Sequence, residues 1–454
     1  VLPGPPWFGD FVHGSRRSSF HLALGPAISQ WGGRLRYLYP VMTPHNTPDS
    51  NGATSNDSIQ ANPHGGTGEV TRPRFGLAAR LLLLALPAIL VFAAGLCVVE
   101  YIARLRAREV SGSDALDPGL TIYDSTLGWK LAPLWSGRHR HYDYDATYHT
   151  SRLGFRNDSP DLTVLRHPWY AVLGDSFVFG FGVNDDQTFV RLLNESATPA
   201  RSFVNFGVPG YSTDQQLLLL ERQVLDFKPD GVVFFVYLGN DLFDNMRPYP
   251  MQARRAKPFF ALSGSELDLR NTPVPQAPSP NPDARSELRN AVLGENSPSA
   301  LDRMAARSVL LAGLWERYSG IDLSTSDMRS RFTPAIDLFK RIAGRARQAS
   351  VQRGASFTVV VLAGRSFVET PQSMSAAYQQ YLREEVLAWA GESHVAVVDL
   401  AGDLRQAYAD RGESWYFKND GHLNPEGHAK VASILADRLD RTTERLPVAP
   451  ASAR

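Results

Sequence analysis

The chain has 454 residues, of which 43% are hydrophobic and 20% charged, and its formal net charge is +1. That balance suits one large globular domain with appendages and offers no bulk field to gather nucleic acid or an acidic polymer. The single cysteine, Cys97, excludes an intrachain disulfide and a cysteine-based metal site.

Residues 1–74 are rich in Gly, Pro, Ser, Asn and Arg without apolar periodicity, which predicts a disordered N-terminal segment. The first residue is Val, which fits an alternative start codon or a start assigned too far upstream. Ser15-Arg16-Arg17-Ser18-Ser19-Phe20 is a poor twin-arginine signal, because the following Leu22 to Ile28 is short and broken by Gly25-Pro26. Leu81 to Val99 is an uncharged run between Arg80 and Glu100, long enough as a helix to cross roughly 28 Å of hydrocarbon. It predicts a transmembrane helix within residues 77–104. Arg72, Arg74 and Arg80 before the run balance Arg104, Arg106 and Arg108 after it, so flanking charge does not set its orientation. Cys97 follows Ala94-Gly95-Leu96, without the small residue expected directly before a lipidated cysteine, and is read as a thiol within the span.

Residues 105–165 read as a linker and lead-in, with Leu127-Gly128-Trp129 and Arg152-Leu153-Gly154-Phe155-Arg156-Asn157 around Tyr142, Tyr144 and Tyr148. His139 and His141 share one side of a strand, yet with His149 they lack a partner at metal-ligand spacing. They are expected on a solvated strand face.

The segment 166–441 alternates apolar strands with amphipathic helices. Strands are expected at Tyr170 to Leu173, Val204 to Phe206, Gly231 to Leu238, Phe357 to Leu362 and Val395 to Asp399. Helices are expected through Phe189, Leu192 and Leu193, then over Leu217 to Leu225, Leu301 to Tyr318, Pro334 to Arg353, Met374 to Trp389 and Pro425 to Arg441. A Pro- and Ser-rich stretch, about 251–300, reads as an insertion loop ordered in part at most, and 442–454 as a loose tail. Fully apolar strands alternating with helices predict an α/β fold with a parallel sheet of about five strands covered on both faces.

In an open parallel sheet, functional groups gather beyond the carboxyl ends of the strands. The first strand ends at Gly174-Asp175-Ser176, an expected site for an exposed nucleophilic hydroxyl whose own amide can bind an oxyanion. Asn205-Phe206-Gly207-Val208-Pro209-Gly210-Tyr211-Ser212 follows the second strand, and its glycines can bring a backbone amide close to a substrate oxygen. Gly239-Asn240-Asp241 follows the third and offers a carboxamide donor. Asn419-Asp420-Gly421-His422-Leu423-Asn424-Pro425-Glu426-Gly427-His428 leads into the last helix, and Asp420 and His422 project from one side of an extended segment, so the carboxylate can orient the imidazole. His428, beyond Pro425, reads as a packing or capping residue.

These four blocks, in this order over about Tyr170 to Leu439, resemble the SGNH (GDSL-type) hydrolase superfamily. The resemblance implies the flavodoxin-like three-layer α/β/α sandwich of that superfamily. It also implies Ser176 as nucleophile, His422 as general base, Asp420 as its partner, and an oxyanion hole from the amides of Ser176 and Gly210 with the Asn240 side chain. Leu127-Gly128-Trp129, Gly154-Phe155-Arg156 and Lys257-Pro258-Phe259 resemble membrane-anchored bacterial members. Two positions depart from the family: Leu238 stands where Gly-x-Asn-Asp begins with glycine, and Asp-x-x-His is shortened to Asp420-Gly421-His422, as in alginate-acetylating relatives.

The expected chemistry is attack of Ser176 on an ester carbonyl with His422 taking the proton, and it needs no metal or organic cofactor. Water as acceptor makes an esterase acting on O-acyl, foremost O-acetyl, esters of an envelope polysaccharide or lipid; a glycan hydroxyl makes an acyltransferase. A non-catalytic glycan-binding scaffold on the same fold is the third reading. An α/β-hydrolase elbow is excluded because Val178 stands two residues after Ser176, and a dinucleotide fingerprint fails because Asp185 falls where its third glycine should be. The expected partners are an acyl-ester substrate and the membrane, through one span, with no nucleic acid. The catalytic domain is expected outside the cytoplasmic membrane.

Overall fold

The computed structural model describes residues 76–157, 165–196, 201–251, 253–264, 266–278, 307–318 and 325–443. The segments expected to be disordered or loose, 1–74 and most of 442–454, lie outside these residues, as does 279–300 of the insertion. The described residues divide into two units, one up to Ala93 and the other from Ala94 onward.

The first helix, Leu77–Ser113, continues through Pro87 and well past the expected end of the span. Ala, Leu, Arg and Glu between Ala103 and Val110 are good helix formers, and Gly112 stands at the end. Within it Leu84–Val110 is long and apolar enough to cross a membrane, and side chains such as Leu90, Phe92 and Val98 are exposed. Cys97 is likewise exposed and unpaired. Glu100 accepts hydrogen bonds from Ser308 Oγ at 2.9 Å, from the Val309 amide at 2.9 Å and from the Leu310 amide at 3.1 Å, and so caps the helix Val309–Tyr318.

Within the linker and lead-in, residues 115–149 form strands. Strands β1 (Ala115–Leu116), β4 (Ser136–His141) and β5 (Tyr144–His149) form one antiparallel sheet, and β2 (Thr121–Asp124) pairs with β3 (Gly128–Leu131). The histidine face of β4 points inward, which corrects the solvated face expected for His139. That ring is fully buried, with Nε2 2.6 Å from Asp114 Oδ1 and Nδ1 2.7 Å from the Tyr148 hydroxyl. A buried ring needs partners at both nitrogens, and these two side chains supply them.

The core is a sheet of five strands, β6 (Trp169–Gly174), β7 (Ser202–Gly207), β8 (Gly231–Tyr237), β11 (Ser356–Leu362) and β12 (Ala396–Val398). Their order is β12-β11-β8-β6-β7 and every pairing is parallel. Every residue of β6 and β7 is buried, as strands covered on both faces require. Helices flank the sheet in two groups. Thr213–Arg222 and Met374–Glu392 pack on Thr325–Gln352, while Phe189–Ser196 and Leu400–Arg411 pack on Pro425–Thr443. This is the α/β architecture expected.

Other elements add to or shift the expected ones. Phe259–Ser263 (β9) and Glu266–Arg270 (β10) form an antiparallel hairpin inside the insertion. The helix expected from Pro334 begins at Thr325 and carries Pro334 inside it. The helix Leu400–Arg411, capped by Asp399 accepting from the Gly402 amide, went unread because its hydrophobic face is narrow.

Candidate active site

Sheet order explains why distant motifs meet. Strands β8, β6 and β7 are adjacent, and their carboxyl ends lead into Asn240, Ser176 and Gly210. Ser176 opens the helix Ser176–Phe179, whose cap Asp175 accepts from the Phe177 amide at 2.9 Å. The following strand end must be glycine: a Cβ at Gly207 would lie 2.3 Å from the Phe179 nitrogen. Asn205 ties the two turns together, donating to the Val178 carbonyl at 2.7 Å and accepting from the Gly207 amide at 2.9 Å.

Before the last helix, Phe417 and His422 are joined by a backbone hydrogen bond and Tyr416 bridges to Leu423, which closes a tight loop around Asp420. Asp420 Oδ1 lies 2.5 Å from His422 Nδ1 and also accepts from the His422 amide at 2.8 Å. His422 Nε2 lies 2.7 Å from Ser176 Oγ. An unbroken carboxylate-imidazole-hydroxyl chain therefore joins the two ends of the domain. Phe177 and Phe181 stand on the imidazole, each with ring centroids 4.9 Å away.

The chain's electrostatics suit proton transfer. Burial pushes Asp420 up, but the His422 charge and two hydrogen bonds from His422 outweigh it and bring its pKa to about 2. Burial pushes His422 down, yet the Asp420 charge and hydrogen bond, with Asp175 and Asp114 farther off, raise it above the ordinary 6.5. Asp175 is raised to about 6, mainly by burial.

Ser176 is not exposed as expected: it is fully buried, while the His422 side chain keeps 14% of its exposure. The cause is local, because Phe177, Val178 and Phe179 are all buried and draw the turn into the core. Gly210 has φ +80°, a left-handed conformation that favours glycine, and Trp129 lies 3.3 Å from where its Cβ would be. Trp129 also donates to the Pro209 carbonyl at 3.0 Å. Among the described residues the amides of Ser176 and Gly210 donate to no loop or turn carbonyl. Asn240 Nδ2 donates to Asp244 Oδ2 at 2.6 Å, which fixes the carboxamide plane. His428 is buried, accepts from the Phe189 amide at 3.2 Å and is held neutral by burial with a pKa of about 3. It stacks on Phe189 of the neighbouring helix, with ring centroids 5.8 Å apart.

Sequence reasoning singled out Arg156 and Lys257 only through resemblance, and the structure shows what they touch. Buried Arg156 donates to the carbonyls of Phe179 at 3.1 Å, Gly180 at 2.5 Å and Val183 at 2.7 Å, and so ties down the turn after Ser176. Lys257 is fully buried and pairs with Asp214. Asp143, Tyr144 and Asn205 were not singled out for the site; the contacts of Asp143 and Tyr144 with the Asp420 loop are long-range and leave no local pattern.

The GDSL-like lipase/acylhydrolase family model matches residues 172–430, more than half of the chain. The chain belongs to this family. It is thus a member of the SGNH superfamily and an enzyme acting on ester bonds. Among solved structures the GDSL-like chain is similar to a lipolytic G-D-S-L protein from Veillonella parvula, at 12% identity and a TM-score of 0.33, over 60% of this chain and 98% of that one. It is similar to an acetylxylan esterase from Geobacillus stearothermophilus at 13% identity and a TM-score of 0.33, over 62% and 95%. No curated protein matches it.

Proposed function

We propose that this chain is a membrane-anchored serine esterase that hydrolyses O-acyl, foremost O-acetyl, esters of an envelope polysaccharide or lipid. One observation carries the reading: Asp420, His422 and Ser176 lie in a hydrogen-bonded line, 2.5 and 2.7 Å between successive groups. His422 takes the Ser176 proton as Oγ attacks the carbonyl, and the charged Asp420 holds the imidazole and supports the imidazolium. The amides of Ser176 and Gly210 and the Asn240 carboxamide bind the oxyanion. The proton then passes to the leaving alcohol, and water resolves the acyl-enzyme. The short Asp420-Gly421-His422 spacing favours transfer to a glycan hydroxyl as the second reading. Incubation with an acetylated polysaccharide separates the two: hydrolysis releases acetate, whereas transfer moves acetyl to an added acceptor, and neither product would refute both.

The apolar helix supports a tether; the outer side of the cytoplasmic membrane is proposed for the catalytic unit because acylated envelope polymers lie there, and the helix itself does not set the side. A fusion after Arg441 to a reporter that fluoresces only in the cytoplasm should stay dark.

Asn240→Ala removes one hole donor and is expected to lower kcat about 10²- to 10³-fold with little change in KM, read from nitrophenyl acetate kinetics. The pH profile is also set. The base works only as neutral imidazole, so kcat/KM is full above the His422 pKa and is lost as pH falls through it. Because Asp420 raises that pKa, the acid limb should lie above the ordinary 6.5, and Asp420→Asn should move it down.

A further inference from the structure

The line from Asp420 to Ser176 is braced from outside the matched family region, 172–430, by the turn between β4 and β5 and the first residue of β5. Tyr144 donates its hydroxyl to Asp420 Oδ2 at 3.1 Å. Oδ1 is already taken by the His422 amide and ring, so the two oxygens have separate donors. Among the described residues Tyr144 is the only donor to Oδ2, on a carboxylate that is 5% exposed. Next to it, Asp143 receives three hydrogen bonds from the same loop: the Asn419 amide at 2.5 Å, Asn419 Nδ2 at 2.7 Å and the Asp420 amide at 2.8 Å. Stacking of Tyr144 on His141 and packing on Phe417, each with centroids 4.9 Å away, hold the phenol in place.

We propose that Tyr144 and Asp143 are positioning residues of the esterase, the first fixing the Asp420 carboxylate and the second the loop that carries it. This rests on the reading of Asp420 and His422 as orienter and base. Two donors on different oxygens prevent the carboxylate from turning, so Oδ1 stays on Nδ1 and Nε2 stays on Ser176. A hydroxyl on Oδ2 also draws off part of the negative charge that the imidazolium feels. The other titratable groups that act on the pair are His141, Asp114 and Tyr148 from the lead-in, Asp175 from the turn after β6 and His428 from the last helix, and among the described residues none of them donates to Oδ2. Arg365, from the helix Arg365–Glu369, binds the Phe417 and Lys418 carbonyls and holds the other arm of the loop.

The test is the full chain in detergent with Tyr144→Phe, which keeps the ring and removes the donor. Turnover of nitrophenyl acetate should fall about 10-fold in kcat with KM little changed, the size expected for one hydrogen bond to a charged group. The acid limb of kcat/KM should move to higher pH, because an Asp420 without its Oδ2 donor favours the imidazolium more. Asp143→Asn should lower kcat in the same sense. Unchanged kcat in Tyr144→Phe overturns the inference, and so does a fall with an unmoved acid limb, which would mark a purely structural role. Ser176→Ala run alongside keeps the two ideas apart. If it remains active the triad reading itself is wrong, whereas an inactive Ser176→Ala beside an unaltered Tyr144→Phe sinks only the positioning role.

Discussion

Ser176→Ala is expected to lower kcat on a nitrophenyl ester by about 10⁵-fold or more and to abolish labelling by a fluorophosphonate, while leaving the fold intact. The magnitude follows from the chemistry. Without Oγ no acyl-enzyme forms, and His422 has no hydroxyl to deprotonate, so only hole binding and a stray water remain. The fold should survive because the change deletes one atom whose recorded side-chain partner is His422 Nε2, and alanine suits the first turn of a helix. Burial of the residue makes this variant a sharp probe: a fully buried hydroxyl is reached only by a group that enters the site, so labelling of another serine would be separable by peptide mapping. Retained turnover in a folded Ser176→Ala would remove the proposed nucleophile.

Part of the candidate site was legible because Ser176, Gly210 and Asn240 each follow the end of a strand. Apolar runs locate β6, β7 and β8 from local pattern alone, and the polar residue after each run must lie at one edge of a parallel sheet. Asp420 and His422 were legible for a different reason, since a two-residue spacing in an extended segment needs no tertiary knowledge. What could not be read was support from far along the chain. Tyr144 meets Asp420 across 276 positions and Lys257 meets Asp214 across 43, and neither spacing has a period. The face of β4 was misjudged because alternation of His139 with Arg138 and Arg140 says which residues share a side, not which side is covered. Here Tyr144, Tyr148 and Phe181 cover it. The burial of Ser176 also depends on packing: three apolar neighbours in one turn outweigh the preference of a single hydroxyl.

The largest loss of stability is expected from Lys257→Met. Its ammonium and the Asp214 carboxylate are both completely buried, and Asp214 also accepts from Ser212 Oγ at 2.8 Å and from the Gln215 amide at 2.7 Å. A buried pair adds little net stability over an apolar pair, because desolvation offsets its attraction, but removing one partner leaves a charge with nothing to balance it. The cost should be about 3–5 kcal/mol, seen as a lower midpoint in urea unfolding of the full chain with an unchanged slope. Lys257→Met with Asp214→Asn removes the orphaned charge and should recover at least about half of that loss. Activity should follow through a second route. The Lys257 charge also lowers Asp244, which burial raises to about 6 and which anchors Asn240. Without the lysine Asp244 takes up a proton more readily as pH falls, its grip on the Asn240 carboxamide weakens, and kcat should drop at acidic pH before the protein unfolds. If Lys257→Met matched the parent in urea, the buried ion pair would not be holding this side of the site together.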